Sequence, residues 1–272
     1  MNAMHPRSLV ALLALVCAGS VAAQPIPPKD GPLGMKFVAL PKGTFYMGWN
    51  GNRGSAKKTE IKEDFEIAIH PVTQRQWQTL MGTNPSWFSR SGQGRDKVKD
   101  LTLEELGQLP VEQVSWQDTQ TFIQKLNEQE RGKGHVYRLP TEVEWEYACR
   151  GGATTEEECS FHYYLEKPTN VISSKQANFN GSKPKDGSEP GPFLERTTPV
   201  GSYPSNKLGL YDMHGNVFQW CEDLASPNRK DRVSRGGGWF SSDVKTSTRA
   251  VLPATSRYPG HGFRLVRVAQ KS

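Results

Sequence analysis

Alternation of apolar and polar residues predicts β-strands at both ends of the chain. Residues 35–48 alternate apolar and small side chains around Pro41, which predicts a hairpin with its turn at Lys42 and Gly43. A further strand is predicted over residues 65–69, and residues 262–267 alternate with a period of two. We expect this last strand to pair with an early one.

Three helix starts share one pattern, in which a hydroxyl residue is followed three positions later by a residue that caps the backbone in return. The pairs are Thr73 with Gln76, Ser115 with Asp118, and Thr141 with Glu144. We expect the first helix to end near Met81, before Gly82, the second near Glu130 and the third at Arg150. With 26 glycines and 19 prolines, the chain favours a loop-rich α+β fold of short elements over a helical bundle.

The stretch 208–220, LGLYDMHGNVFQW, predicts a tight polar turn between apolar flanks. Gly215 is suited to a positive φ or to a close backbone approach, and Asn216 tolerates the same conformation. Asp212, Gln219 and the carbonyls of the turn are oxygen donors of the kind that calcium binds. The alternative is a loop whose polar side chains satisfy only its own backbone.

Residues 154–196 form a long polar segment, and a segment of that length is uncommon unless something clamps it. Asn178, Asn180 and Asp186, together with backbone carbonyls, could hold a cation there. The alternative is a mobile excursion, and the spacing of the residues does not decide between the two.

Residues 1–23 predict a signal for export. Arg7 precedes an apolar stretch over residues 8–16, and small residues up to Ala23 form a cleavage site. A lipoprotein attachment at Cys17 is the weaker alternative, because a bulky valine stands where a small residue is expected. We therefore expect a secreted or periplasmic protein.

The remainder of the chain predicts an extended, proline-rich lead-in over residues 24–33 and a single domain over residues 34–269. No later segment is apolar for long enough to span a membrane. The excess of 34 Lys and Arg over 28 Asp and Glu is too small to indicate nucleic-acid binding. From residue 226 onwards, ten basic residues face only Asp231 and Asp243, which favours an anionic partner or a solvated basic surface.

Three cysteines follow the predicted signal, namely Cys149, Cys159 and Cys221. An odd number in an oxidising compartment leaves at least one thiol unpaired within the chain. Cys149 and Cys159 could close a small loop, but the spacing leaves the connectivity open.

Several motifs follow one another in a defined order. They are MKFVALPKGTFYMG, PVTQRQW, NPSWF, PVEQVSW, YRLPTEVEWEYACRGG, TTPVGSYPSNKLGLYDMHGNVFQW, RGGGW and HGFRLVR. In this order they closely resemble the motifs of the formylglycine-generating enzyme family, also called sulfatase-modifying factor proteins. The resemblance covers residues 34–268 and implies a C-type-lectin-like α+β fold with little regular secondary structure and with calcium bound in its loops.

The resemblance implies two calcium sites. The ligands of the first would be Asp212, the carbonyls of Gly215 and Val217, and Gln219. Family members usually have an amide side chain at the first of these positions and an acid at the last. Here Asp212 and Gln219 reverse that order, but the net charge of the ligands is the same. The second site would use Asn178 and the carbonyl of Phe179, although the acidic partner expected near Gly191 and Pro192 is absent.

Formylglycine formation in the family depends on copper(I) held between two cysteine thiolates shortly after an RGGS-like motif. Thiolates are the soft ligands that copper(I) selects. In this chain the corresponding positions fall at Ser241 and near Thr246, and no cysteine follows Cys221. A hydroxyl cannot replace a thiolate, so we expect neither copper binding nor the known oxidase chemistry.

The resemblance then favours a calcium-stabilised binding or scaffold domain, with an exported protein or an anionic ligand as its partner. Residues 239–258 would form the recognition surface, because some relatives with this fold carry a diversified ligand-binding segment after the same motif, and this region resembles that segment in place. Aromatic residues and arginine are favoured anchors of such surfaces, although each could instead pack locally or be solvated. The candidates are Trp239, Phe240, Ser241, Lys245, Arg249, Arg257 and Tyr258.

The alternative is an oxidase of the same family with altered or copper-independent chemistry. Such an enzyme would need a new cluster of histidine, cysteine or carboxylate side chains near residues 235–265. Only Asp243 and His261 are present there, without the spacing of metal ligands. His214 lies in the polar turn, where a single histidine is more often a packed or surface residue than a catalyst.

Overall fold

The computed structural model of the chain describes residues 27–52, 54–184 and 187–270. The predicted export signal and Asp186 lie outside these residues. The helices are α1 (Gln74–Met81), α2 (Leu103–Gln108), α3 (Trp116–Gln129) and α4 (Glu142–Cys149). The strands are β1 (Lys29–Asp30), β2 (Lys36–Leu40), β3 (Gly43–Met47), β4 (Lys57–Ile61), β5 (Phe65–Ala68), β6 (His135–Arg138), β7 (Tyr163–Tyr164), β8 (Pro168–Thr169), β9 (Phe218–Leu224), β10 (Asp231–Arg235), β11 (Arg249–Pro253), β12 (His261–Gly262) and β13 (Val266–Ala269).

Five strands form an antiparallel sheet in the order β1–β2–β5–β13–β6. The expected pairing between the end of the chain and an early strand is confirmed, because Val266 of β13 lies opposite Ile67 of β5. Both side chains are buried, on the face of the sheet that meets the core. Part of the predicted lead-in belongs to this sheet, since β1 pairs with the edge of β2.

The hairpin predicted over residues 35–48 is wrong. Strands form on both sides of the turn, but β2 pairs with β5 and β3 pairs with β4. The backbone N–H of Lys42 donates to a carboxylate oxygen of Asp64 over 2.7 Å, which anchors the connection beside β5. The partner of a strand depends on the surface that its whole length buries, and this outweighs the local turn signal.

The strand predicted over residues 262–267 is interrupted. β12 runs parallel to β9 in a second sheet, of order β11–β10–β9–β12, and the chain enters the first sheet only at β13. Between the two strands the buried side chain of Arg264 turns inwards. Its guanidinium donates to the carbonyl of Ala68 in β5 over 2.9 Å and to Oε1 of Gln219 in β9 over 2.6 Å, so this arginine links the two sheets.

The three predicted capping boxes are confirmed at the starts of α1, α3 and α4. α1 ends at Met81, and Gly82 follows with a φ of 78°, as expected for a left-handed cap. α2 was not predicted, although Thr102 and Glu105 form a fourth capping box at its start. Only Leu106 of this short helix is buried, so it lacks the apolar periodicity that marks the other helices.

The buried side chains of the described residues form four clusters, and the two largest lie around Trp145 of α4 and around Trp220 of β9. Short helices and strands alternate with irregular segments, as the glycine and proline content predicts. None of the helices in the described residues is long and apolar enough to cross a membrane.

Candidate functional site

The polar turn at residues 208–220 lies at the centre of the candidate site. Gly215 has a φ of 87° and Asn216 a φ of 63°, which confirms the expected left-handed conformation. A Cβ atom at position 215 would lie 2.3 Å from the carbonyl oxygen of Asn178, so the backbone approach is too close for any side chain. The N–H of Asn216 donates to the same carbonyl oxygen over 2.8 Å.

Asp212 is buried beside this turn. Its Oδ2 accepts a hydrogen bond from the N–H of Gly201 over 2.9 Å, and its Oδ1 accepts one from the amide of Asn216 over 3.3 Å. Burial raises the pKa of the Asp212 carboxyl above its ordinary value, and the two hydrogen bonds and the positive charge of Arg264 only partly offset this. A cation at the carboxylate would offset the cost of burying its charge.

The carbonyls of Gly215 and Val217 fit the predicted first calcium site. Both residues are buried, and no donor in the described part of the chain binds either carbonyl oxygen. A buried carbonyl without a donor is costly, and a cation would satisfy both groups. The carboxylate of Asp212 and these two carbonyls are therefore the residues that would hold calcium.

Gln219 fits that site less well. Its Oε1 accepts hydrogen bonds from the indole Nε1 of Trp145 over 2.8 Å and from Nε of Arg264 over 2.6 Å. An amide oxygen has two lone pairs, so both are already used by these donors. Its Nε2 donates to the carbonyl of Asp212 over 2.6 Å, which makes Gln219 the support of the turn.

The residues of the predicted second site clamp the long polar segment to the turn. The Nδ2 of Asn178 donates to the carbonyl of Arg196 over 2.9 Å and to Oδ1 of Asn216 over 3.2 Å. The carbonyl of Phe179 accepts from the N–H of Gly181 over 3.0 Å, and the N–H of Asn180 donates to the carbonyl of Ser241 over 2.9 Å. Hydrogen bonds between Asn178 and Asn216 thus hold this segment against the turn, and the bond of Asn180 holds it against Ser241.

The positions expected for the copper-binding pair carry hydroxyls that are already bound. The Oγ of Ser241 accepts from the N–H of Gly238 over 3.0 Å. Thr246 is completely buried, and its Oγ1 donates to the carbonyl of His162 over 2.9 Å. The sulfur of Cys149 lies 3.6 Å from the same Oγ1.

The three cysteines are free thiols, all buried in the cluster around Trp145, and the small Cys149–Cys159 loop is not closed by a disulfide. Burial raises the pKa of all three, and that of Cys149 to about 12. They are therefore protonated at neutral pH, and a thiol binds copper only after deprotonation.

Nε2 of His214 lies 3.7 Å from the sulfur of Cys149. The pair resembles a catalytic dyad in position, but its hydrogen bonds do not fit that role. This Nε2 accepts from the N–H of Tyr164 over 2.9 Å, and Nδ1 of His214 lies 2.8 Å from the carbonyl of Val244, to which it donates. Both nitrogens are used, and burial lowers the pKa of this histidine to about 4. The packed role expected for His214 is confirmed.

The predicted recognition surface carries a continuous row of rings. Neighbouring ring centroids in the row are 4.9 to 6.1 Å apart. Phe240 and Tyr258 are 43% and 46% exposed, so the row is open to solvent at two places. This aromatic strip, in order of contact, is Phe193, Trp239, Phe240, Phe218, His261 and Tyr258.

Trp239 and His261 of the aromatic strip differ in the hydrogen bonds of their ring nitrogens. Trp239 is half-buried, packs edge-on against Phe88, and donates from Nε1 to the carbonyl of Pro259 over 2.9 Å. His261 is buried and stacked on Phe218, and neither of its ring nitrogens has a partner in the described chain. Phe193 and Phe218 were not predicted as members of this surface, because they lie outside residues 239–258 and only the fold brings them next to Trp239 and Phe240.

The basic residues predicted on this surface are paired within the chain. Arg249 donates to the carboxylate of Glu142 over 2.7 Å, and Arg257 binds both oxygens of Asp118 at 2.7 Å. Lys245 lies 3.3 Å from the carboxylate of Asp243. The groups that this surface offers to a partner are therefore mainly aromatic rings, since its basic side chains are already paired with carboxylates.

Comparisons with known proteins agree with this architecture. Residues 24–269 match the family described as the sulfatase-modifying factor enzyme 1-like domain. The chain is 32% identical over 250 residues to "Chaperone protein LppX" of Paenibacillus barcinonensis, covering 77% of this chain and 82% of that protein. It is 34% identical over 198 residues to "Inactive C-alpha-formylglycine-generating enzyme 2" of Mus musculus, covering 68% of this chain but only 56% of that protein.

Among solved structures, the "Treponema denticola variable protein 1" superimposes with a TM-score of 0.68. The two sequences are 22% identical, and the match covers 89% of this chain and 99% of that one. The likeness shows the fold, which is the C-type-lectin-like α+β fold expected from the motifs.

Proposed function

Because the chain belongs to the family of sulfatase-modifying factor enzyme 1-like domains, we propose that it is a non-catalytic member of that family. It acts as an exported binding or scaffold domain whose loops are stabilised by calcium. The aromatic strip is the surface that it presents to its partner, an exported protein or an anionic ligand.

One observation carries the non-catalytic part of this proposal. The hydroxyls of Ser241 and Thr246 occupy the positions expected for the copper ligands, and both are hydrogen-bonded within the chain. The three thiols in the described residues, Cys149, Cys159 and Cys221, are buried and have raised pKa values, so they offer no accessible thiolate. The similarity to a mouse protein whose name describes it as inactive supports the same proposal.

The binding part of the proposal rests on the exposed rings of Phe240 and Tyr258. Exposed aromatic side chains beside a rigid, well-packed body are typical anchors of recognition surfaces. The bacterial relative named as a chaperone supports a protein partner. The neutralised arginines of this surface favour such a partner over a purely anionic one.

A direct assay tests the absence of oxidase activity. The purified protein is incubated with copper(I), oxygen and a peptide that contains Cys-X-Pro-X-Arg, and the peptide mass is followed, with an active formylglycine-generating enzyme as the positive control. We expect an unchanged peptide. Conversion of the cysteine to the aldehyde would overturn the proposal, and Cys149→Ser, Cys159→Ser and Cys221→Ser would then identify the thiol responsible.

A further inference from the structure

Two clefts lie on either side of Arg75. No residue of the aromatic strip lines either of them. The first has a volume of about 340 Å³ and runs between the start of α1 and the ends of β2 and β5. The second has a volume of about 360 Å³ and runs between α1 and α2. Arg75 lines both clefts, so its side chain is their shared wall.

The charged residues that line these clefts are basic. Lys36 lines the first, Arg90 the second and Arg75 both, and no carboxylate is among the described residues that line either one. Glu104, at the rim, approaches Arg75 only to 3.9 Å. Because these two side chains are 50% and 80% exposed, solvent screens their attraction.

The three cations keep donors free for a ligand. Arg75 donates from one Nη to the carbonyl of Glu104 over 3.2 Å, and Arg90 donates to the carbonyl of Leu101 over 2.9 Å. The ammonium group of Lys36 has no hydrogen bond or ion pair within the described chain. Each guanidinium carries five N–H donors, so most of them remain available.

The second cleft also offers an exposed apolar side chain and space for the side chain of Arg75. Leu103, on the wall of the second cleft, is 76% exposed, the most exposed large apolar side chain in the described residues. Gly107 of α2 leaves room for Arg75, because a Cβ there would lie 2.8 Å from its Nε. A ligand that fills both clefts would be elongated, negatively charged and partly apolar.

We propose that these two clefts form one docking groove for an extended acidic peptide segment of a partner protein. Carboxylates of the segment pair with Lys36, Arg75 and Arg90, and an apolar side chain covers Leu103. Charge complementarity of this kind accelerates encounter and gives selectivity against basic segments. The groove is a second interaction surface, and no residue of the aromatic strip lines it.

Fluorescence anisotropy with the full chain tests this groove. The probe is a labelled peptide of sequence Gly-Glu-Leu-Ser-Glu-Gly-Leu-Glu, compared with versions in which glutamine or lysine replaces each glutamate. We expect binding of the acidic probe, weakened about fivefold by Arg75→Gln and by Arg90→Gln, each of which removes one exposed ion pair. Arg131→Gln, a matched change at an exposed arginine on the turn after α3, should leave binding unchanged.

Two further variants separate the groove from a folding defect. Lys36→Gln removes a side chain without a partner in the described chain and should weaken binding at an unchanged melting temperature. Gly107→Ala keeps every charge but displaces the guanidinium of Arg75, and it should also weaken binding.

Absence of binding, or equal binding of the glutamine peptide, would overturn the proposal. Equal loss with Arg131→Gln would also overturn it, because a general attraction of polyanions to the basic chain would then explain the result. Heparin serves as the polyanion control, and we expect Arg75→Gln and Arg131→Gln to bind it with equal affinity. Because Phe240→Ala should not affect the probe, failure here leaves the function proposed for the aromatic strip untouched.

Discussion

Arg235 donates to the carboxylate of Glu146 over 2.5 Å, and both side chains are almost completely buried. The other carboxylate oxygen of Glu146 accepts from Arg150 over 2.7 Å and from the N–H of Gly48 over 2.7 Å. This network joins α4, β10 and the connection after β3 at the base of the RGGGW motif. It holds the segment that leads to the aromatic strip.

Replacement of Glu146 by glutamine should destabilise the fold strongly. The two guanidiniums would lose a buried counter-charge, and breaking such a pair costs about 3 kcal/mol or more of the free energy of unfolding. Urea denaturation measures the change, with Glu60→Gln on the exposed strand β4 as the control. The control should remain within about 0.5 kcal/mol of the wild type. Equal stability of the two variants would show that the network contributes little.

The same carboxylate predicts acid sensitivity. Burial by itself raises the pKa of Glu146, but Arg235 and Arg150 outweigh this and lower it below the ordinary value of 4.5. Its stabilising contribution is therefore complete above pH 4.5 and is lost as the pH falls through the lower folded value. Acid titrations of wild type and Glu146→Gln should converge in stability at low pH, whereas a constant difference would contradict this assignment.

A matched pair of glycine substitutions tests the polar turn. Gly215→Ala places a Cβ 2.3 Å from the carbonyl of Asn178 at a φ of 87°, so both strain and a backbone clash result. Gly209→Ala meets nothing within 4 Å at a φ of 76°, so it adds strain alone, about 1 kcal/mol. Thermal unfolding should show the larger loss for Gly215→Ala. Similar losses would indicate that the turn relaxes away from Asn178.

The sequence predicts those features of the fold that depend on neighbouring residues. Capping boxes at Thr73, Ser115 and Thr141 and the positive φ of Gly215 are local, and the structure has all four. The hairpin after Met35 was wrong because β2 and β3 pair with the later strands β5 and β4 and not with each other.

Long-range contacts also explain what the sequence left open at the site. Nothing near Gln219 indicates that Trp145 and Arg264 occupy its amide oxygen, since they lie 74 and 45 residues away. The pairing of Arg257 with Asp118 spans 139 residues and removes a charge that the local sequence presents as free. Motif order therefore identifies the family, whereas the chemistry of each side chain depends on packing.

The raised pKa of Glu112 predicts that stability falls as the pH rises from about 4.5 to 8. The residue is buried, its carboxylate accepts from the N–H groups of Phe88 over 2.9 Å and Trp87 over 3.1 Å, and burial raises its pKa to about 8. The unfolded chain releases this proton near pH 4.5, so stability should fall between about pH 4.5 and 8 as the folded state retains it.

Glu112→Gln removes the titrating group, although its amide oxygen can accept from only one of the two backbone N–H groups. The stability of the variant relative to the wild type should therefore rise by about 2 kcal/mol or more between pH 4.5 and pH 8, since each unit of pKa shift corresponds to about 1.4 kcal/mol. Chemical denaturation across this range measures the difference between the two proteins. A difference that does not change with pH would show that Glu112 is ionised in the folded protein.

Calcium should raise the melting temperature of the chain through the polar turn. Asp212→Asn removes the charged ligand, whereas the carbonyls of Gly215 and Val217 are unaffected, so the variant should lose most of the calcium-induced shift. Asp243→Asn, on the recognition surface, is the control and should retain the shift. Differential scanning calorimetry with calcium and with a chelator makes the comparison. If the chelator leaves the wild-type melting temperature unchanged, the amide network of Asn178 and Asn216 holds the loops without a cation, and the calcium proposal fails.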